Sequence, residues 1–256
     1  MDKEQSDKLF DNILKELPKN WIDIDKDKFS KVGNDIGYYQ FVVNEEKAYF
    51  IFGGSEVLSK LLEVFVNSPY PKEIKKLFVG TFNESLGDYN YKEAVKILSK
   101  GYFPNLEIFS IGFYDELCNS GMYFYGELGD ITLLLKNMPN LKELELCGYF
   151  ILIKPLEFKK LQKLTLWSES DIIEKDISQN TLDNFLLSSM PLLKRLEIFV
   201  DDESSFVFPK KFLDGKTTPK LDILDIEGGF LKTEEDKLLK SNIKDSCNFI
   251  KIVSND

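Results

Sequence analysis

A six-residue apolar pattern recurs along the 256-residue chain: aliphatic, two other residues, apolar, one other, aliphatic. It reads Ile74-Lys75-Lys76-Leu77-Phe78-Val79, then Leu106-Glu107-Ile108-Phe109-Ser110-Ile111, then Leu141-Lys142-Glu143-Leu144-Glu145-Leu146. Three further copies follow at 161–166, 193–198 and 221–226. Four of the six have a proline two residues upstream: Pro104, Pro139, Pro191 and Pro219. Alternation at the end of each hexad predicts a short strand with one face buried. Between hexads the period changes. Residues 55–66 carry Val57, Leu58, Leu61, Leu62, Phe65 and Val66 at helical spacing, and residues 91–99, 131–135 and 182–187 behave alike, the last with Thr181 as its N-cap. The prolines cannot continue a helix and turn the chain toward the next strand. The interval from 141 to 161, through Pro155, is too short for a comparable helix and is expected to be extended or a single turn.

With its proline, the hexad is Pro-x-Leu-x-x-Leu-x-Leu/Ile, the core of the leucine-rich repeat. The intervals between hexads are 32, 35, 20, 32 and 28 residues. Three of them exceed the usual period of about 20–29, which reads as longer helices or inserted loops. The expected fold is an α/β leucine-rich-repeat solenoid, with a curved parallel sheet on the concave face and helices on the convex face. One strand-helix unit buries too little to stand alone, whereas stacked units share a continuous aliphatic core. The solenoid is expected over 38–232. Two strands flanking Asn44-Glu45-Glu46-Lys47 form a hairpin at its start, the second of them leading the parallel strands. Residues 1–37, with an amphipathic helix over 4–17, form an N-terminal extension or cap, and residues 233–256 a C-terminal helix-and-strand cap.

The order of elements adds a resemblance. The strand Tyr49 to Phe52, the strand following Ile74, the segment Tyr125-Gly126-Glu127-Leu128-Gly129-Asp130, and the repeats opened by Met138-Pro139 and Met190-Pro191 together resemble a family of small bacterial leucine-rich-repeat proteins. The likeness spans residues 48–230 and does not extend to 1–37. It implies a cytosolic binding protein in the style of immunity proteins, which neutralise bacterial toxins. It transfers no catalytic residue.

Composition narrows the chemistry. The net charge is −10 and the pI near 4.8, so nucleic-acid phosphates and anionic membranes are repelled, whereas a basic protein partner is attracted. There is no histidine, which closes imidazole-activated nucleophiles and leaves few transition-metal sites. The chain is therefore expected not to be an enzyme and to use no cofactor or metal. Cys118, Cys147 and Cys247 are odd in number and widely spaced, as reduced thiols are. The charged N-terminus lacks the apolar stretch of a secretory signal, and no run approaches a membrane helix. A cytoplasmic setting is expected.

If hexad positions 1, 4 and 6 point inward, positions 3, 5 and 7 point to the concave surface. The partner-binding residues expected there are Phe78, Glu143, Glu145, Trp167, Arg195, Glu197, Phe199, Asp225 and Glu227, with Cys147 on the same surface. Trp167 and Phe199 hold equivalent places in adjacent repeats, as aromatic anchors amid charge. The competing reading packs them against the chain's own segments. The acids form an expected column that either docks a basic partner or is simply a solvated face. The aromatic insertion at 113–130, with Tyr114, Tyr123 and Tyr125, either touches the partner or covers the sheet edge. Asp201-Asp202-Glu203 lacks the alternating ligand spacing of a calcium loop, and Gly53-Gly54-Ser55 is a turn without the fuller glycine pattern of a phosphate loop. The functional expectation is a protein-binding scaffold, most specifically an immunity protein that binds a basic toxin domain. The alternative is an adaptor subunit that docks through residues 1–37.

Overall fold

In the computed structural model the last four residues of every hexad lie on a strand, and those strands stand side by side. The structure describes residues 1–15, 38–43, 46–53, 55–81, 89–112, 126–168, 177–201 and 205–255. Helix α1 (Lys3–Lys15) comes first. The hairpin β1 (Tyr38–Val43) and β2 (Glu46–Gly53) follows, and then α2 (Ser55–Val66) and α3 (Tyr70–Glu73). Next are β3 (Lys76–Thr81), β4 (Tyr89–Asn90), α4 (Lys92–Leu98), β5 (Ile108–Ile111), β6 (Gly126–Asp130) and α5 (Thr132–Lys136). The chain continues through β7 (Glu143–Cys147), β8 (Tyr149–Ile151), β9 (Lys163–Ser168), α6 (Gln179–Leu186) and β10 (Arg195–Val200). It closes with α7 (Lys210–Leu213), β11 (Ile223–Leu231), α8 (Lys232–Leu239), α9 (Asn242–Ser246) and β12 (Phe249–Asn255).

Nine strands form one sheet in the order β1-β2-β3-β5-β7-β9-β10-β11-β12. The β1–β2 pairing is antiparallel, and the others are all parallel. Parallel neighbours require crossovers, and the helices supply most of them. Register aligns the hexads. Leu77, Phe109, Leu144, Leu164, Leu196, Leu224 and Ile250 pair in one row, and Val79, Ile111, Leu146, Leu166, Ile198, Ile226 and Ile252 in another. From Leu77 to Leu224 and from Val79 to Ile226 these side chains are buried, and only the pair on the edge strand β12 is partly exposed. The first hexad residues, Ile74, Leu106, Leu141, Leu161, Leu193 and Leu221, lie just before their strands and are buried too. All belong to one apolar core with Leu61, Leu62 and Phe65 of α2, Leu98 of α4 and Phe185 of α6.

Three features depart from the sequence reading or went unread in it. A second, three-stranded parallel sheet, β4-β6-β8, gathers short segments that had looked like connections. Gly148, at φ 133°, carries the chain from β7 into β8 with its N–H donating to the Trp167 carbonyl. A Cβ there would stand 2.1 Å from the Gly126 carbonyl oxygen, so no other residue fits. The N-cap of α6 is Ser178 and not Thr181: its hydroxyl accepts from the Thr181 N–H at 3.2 Å, and Thr181 is buried within the first turn. Finally, asparagines tie successive units together. Asn105 Nδ2 donates to the Lys72 carbonyl and Asn140 Nδ2 to the Pro104 carbonyl, both at 2.6 Å.

At the N-terminal side α1 packs against α2 and α3. Its Phe10 is 1% exposed with its ring 6.4 Å from Tyr70, the Tyr70 hydroxyl donates to Asp7, and Lys3 pairs with Glu73 at 2.7 Å. At the other side Leu238 of α8 and Ile243 of α9 are buried behind β12. The connection from 152 to 162 carries no helix, as its length requires.

Candidate functional site

The large sheet has one face packed into the core and one that remains accessible. On the accessible face the register forms three rows. The first runs Lys76, Ile108, Glu143, Lys163, Arg195, Ile223, Phe249. The second runs Phe78, Ser110, Glu145, Thr165, Glu197, Asp225, Lys251. The third holds Cys147, Trp167, Phe199, Glu227 and Val253. All nine strand residues expected to meet a partner therefore lie on one surface. Tyr114, Tyr123 and Tyr125 lie outside the described residues.

Toward the C-terminal ends of β9 and β10 this surface is aromatic. The Trp167 and Phe199 rings stack with centroids 4.4 Å apart and planes 29° from parallel. Parallel pairing of β9 with β10 sets the two side chains opposite each other. Both are half-buried. Phe249 and Val253, on the edge strand, expose 52% and 46% of their surface and extend the apolar area toward that end.

Around the aromatic pair the charges are arranged differently from an unbroken acidic column. Glu197 is only 7% exposed. It accepts from Arg195 Nε at 2.7 Å and from the Thr165 hydroxyl at 2.7 Å, with Lys163 Nζ 3.4 Å away. Burial works against its ionisation, but the Thr165 hydrogen bond and the Lys163 and Arg195 charges outweigh it and hold the carboxyl below its ordinary value. Asp225 and Glu227 share Lys251, at 3.6 and 3.1 Å. The Glu227 hydrogen bond, aided by the Asp225 charge, raises that lysine above its usual value. Glu145 accepts from the Ser110 hydroxyl at 3.0 Å. Glu143 is exposed and enters no ion pair among the described residues. The column is thus interrupted: three cations and two hydroxyls on the same face neutralise or engage most of its acids.

Cys147, expected on this surface, sits in register with Trp167 but is fully buried. Burial first, and the nearby Glu145 charge second, push its thiol far above the ordinary range, so it is a small core residue and not a nucleophile. Among the described residues no three or more potential metal ligands converge, and no helix is long and apolar enough to cross a membrane. This surface offers aromatic contact area and fixed charges, which suit recognition of another macromolecule.

The pairing of Thr165 with Glu197 was the contact the sequence reading passed over, although a signal existed. Aligning the hexads sets Lys163 beside Arg195 and Thr165 beside Glu197, so a buried network could have been inferred from two adjacent repeats.

No family model matches the chain, and no curated protein matches it. Among solved structures, a Bacteroides fragilis protein matches with a TM-score of 0.52 and 18% identity, over 73% of this chain and 53% of that one. The chain thus spans about half the length of that neighbour. At this identity the likeness shows the fold alone.

Proposed function

We propose that the chain is a leucine-rich-repeat solenoid whose accessible sheet face binds a protein, and that this partner is a bacterial toxin the chain neutralises by occluding it. The observation that carries the reading is the stacked Trp167–Phe199 pair, half-buried on a face built from neighbouring parallel strands and bordered by ordered charges. Interfaces draw much of their energy from aromatic anchors, while the surrounding charged groups set orientation and exclude wrong partners. The aligned hexads and the succession of parallel strands support the repeat assignment. The excess of acids over bases favours a basic partner, with Glu143 the acid best placed to meet it.

The test is affinity capture from the native host with the intact chain and with a Trp167→Ala/Phe199→Ala variant, followed by mass spectrometry. A toxin domain should be recovered with the first and depleted at least about tenfold with the second, and co-expression of the intact chain should protect cells from that toxin. Recovery of a partner that is equally retained by the double variant and has no toxic activity would refute both parts of the proposal.

A further inference from the structure

On the accessible face, Asp225 and Glu227 of β11 share a single cation. Lys251 of β12 lies 3.6 Å from Asp225 Oδ1 and 3.1 Å from Glu227 Oε1. Register explains the sharing: Lys251 stands opposite Asp225 and diagonal to Glu227, whose own partner is Val253. Neither carboxylate is saturated. Asp225 Oδ1 is buried and accepts no hydrogen bond, and Glu227 Oε2 accepts none among the described residues. Two carboxylates against one ammonium leave a surplus negative charge. It is open to solvent at Glu227, whose side chain is 41% exposed.

An aromatic ring borders that carboxylate. Phe199 of β10 pairs in register with Glu227. Trp167 stacks on the side of Phe199 toward β9, which leaves the other side of the ring toward β11. On the far flank of Glu227, Val253 is 46% exposed. Ring, carboxylate and aliphatic residue thus stand side by side on three adjacent strands. The other acids of this face lack such a set. Glu197 is buried and already engaged by Arg195, Lys163 and Thr165, and Glu143 has Ile108 and Lys163 as its register neighbours. A guanidinium answers all three groups. It is planar enough to lie on a ring, its forked N–H groups match a carboxylate, and its carbon stem covers aliphatic surface. An ammonium would answer the charge alone.

We propose that this seat takes an arginine side chain of the protein partner, with its guanidinium against Phe199 and paired with Glu227, and an apolar neighbour over Val253. The proposal rests on the reading of this face as a protein-binding surface and adds the chemistry of the anchor.

Val253 supplies a reporter at the seat. The full chain, labelled with ¹³C at its valine methyls, is titrated at about 0.15 M salt with three capped tripeptides, Val-Arg-Val, Val-Lys-Val and Val-Gln-Val. With the arginine peptide the Val253 methyls should shift saturably while those of Val79, buried in the core, stay in place. The lysine peptide should bind about two- to fivefold more weakly, and the glutamine peptide at least about fivefold. Glu227→Gln should weaken the arginine peptide about threefold, whereas Glu93→Gln, which removes a charge from exposed α4, should not. Phe199→Leu should abolish the preference for arginine over lysine; should that variant fail to fold, Glu227→Gln carries the comparison. No saturable Val253 shift, equal affinities for the arginine and lysine peptides, or an undiminished response in Glu227→Gln would each overturn the proposal. Its failure is distinguishable from failure of the toxin reading. A host partner lost by Trp167→Ala/Phe199→Ala but fully kept by Glu227→Gln would sink the arginine anchor alone. Arginine-peptide binding that depends on Glu227, beside a host partner that the aromatic double variant retains, would support the anchor and sink the toxin reading.

Discussion

Trp167, Phe199 and Glu197 illustrate how single side chains on the accessible face contribute to the fold. The ring stack contributes to stability beyond the area it buries, by about 0.5–1.5 kcal/mol. A double-mutant cycle of Trp167→Leu and Phe199→Leu, read by urea unfolding, should return a coupling of about that size; additive single changes would mean that the rings do not interact. Glu197 makes stability depend on acid. Its folded value lies below that of an unfolded glutamate, so its contribution is complete above about pH 4.3 and is lost as pH falls through the lower folded value. Unfolding between about pH 6 and pH 2, followed by circular dichroism, should therefore be steeper in the native chain than in Glu197→Gln, whose amide does not titrate. Cys147 gives a third residue-scale outcome. Its burial and raised thiol value should keep it unmodified by iodoacetamide until the chain unfolds, as mass spectrometry of the alkylated peptides would record. The placement of these residues on one face was legible in the hexads, because alternation along a strand leaves no other option. The degree of burial was not: it arises from Arg195, Lys163 and Thr165 closing over Glu197 from two strands, which depends on pairing rather than on any local pattern.

At the scale of elements, the strands of the large sheet announced themselves because their buried positions must be aliphatic and must recur. Substituting one tests this directly. Leu164→Ala, at a fully buried position flanked by Leu144 and Leu196, should cost about 2–5 kcal/mol in denaturant unfolding. The small sheet was illegible for the opposite reason. Its strands are two, five and three residues long, too short to show a period, and the turn into β8 relies on backbone geometry at Gly148. At Gly148 a methyl group would meet the Gly126 carbonyl oxygen within 2.1 Å. Gly148→Ala should accordingly destabilise the fold by at least about 2 kcal/mol, and a neutral result would mean that β8 can leave β6 without consequence. The cap of α6 shows a subtler limit. Ser178 and Thr181 both carry the right hydroxyl, and only the path of the chain entering the helix decides which one meets a free N–H.

For the molecule as a whole, the governing fact is that strand order in the large sheet follows chain order without interruption. The helices over most crossovers, the asparagine links from one unit to the next and the aligned aliphatic rows all join near neighbours in sequence. That regularity is why the run of parallel strands with intervening helices could be read from recurrence, whereas the side chains of the accessible face follow no such period. It also has a mechanical corollary. With every strand held mainly by the two beside it, a pull on both termini loads the sheet like a zipper from its margins. Stretched in an optical trap, the chain should yield in a succession of small extensions and not in one large release. A single crossover of about 30 residues would lengthen the tether by about 100 Å at each step.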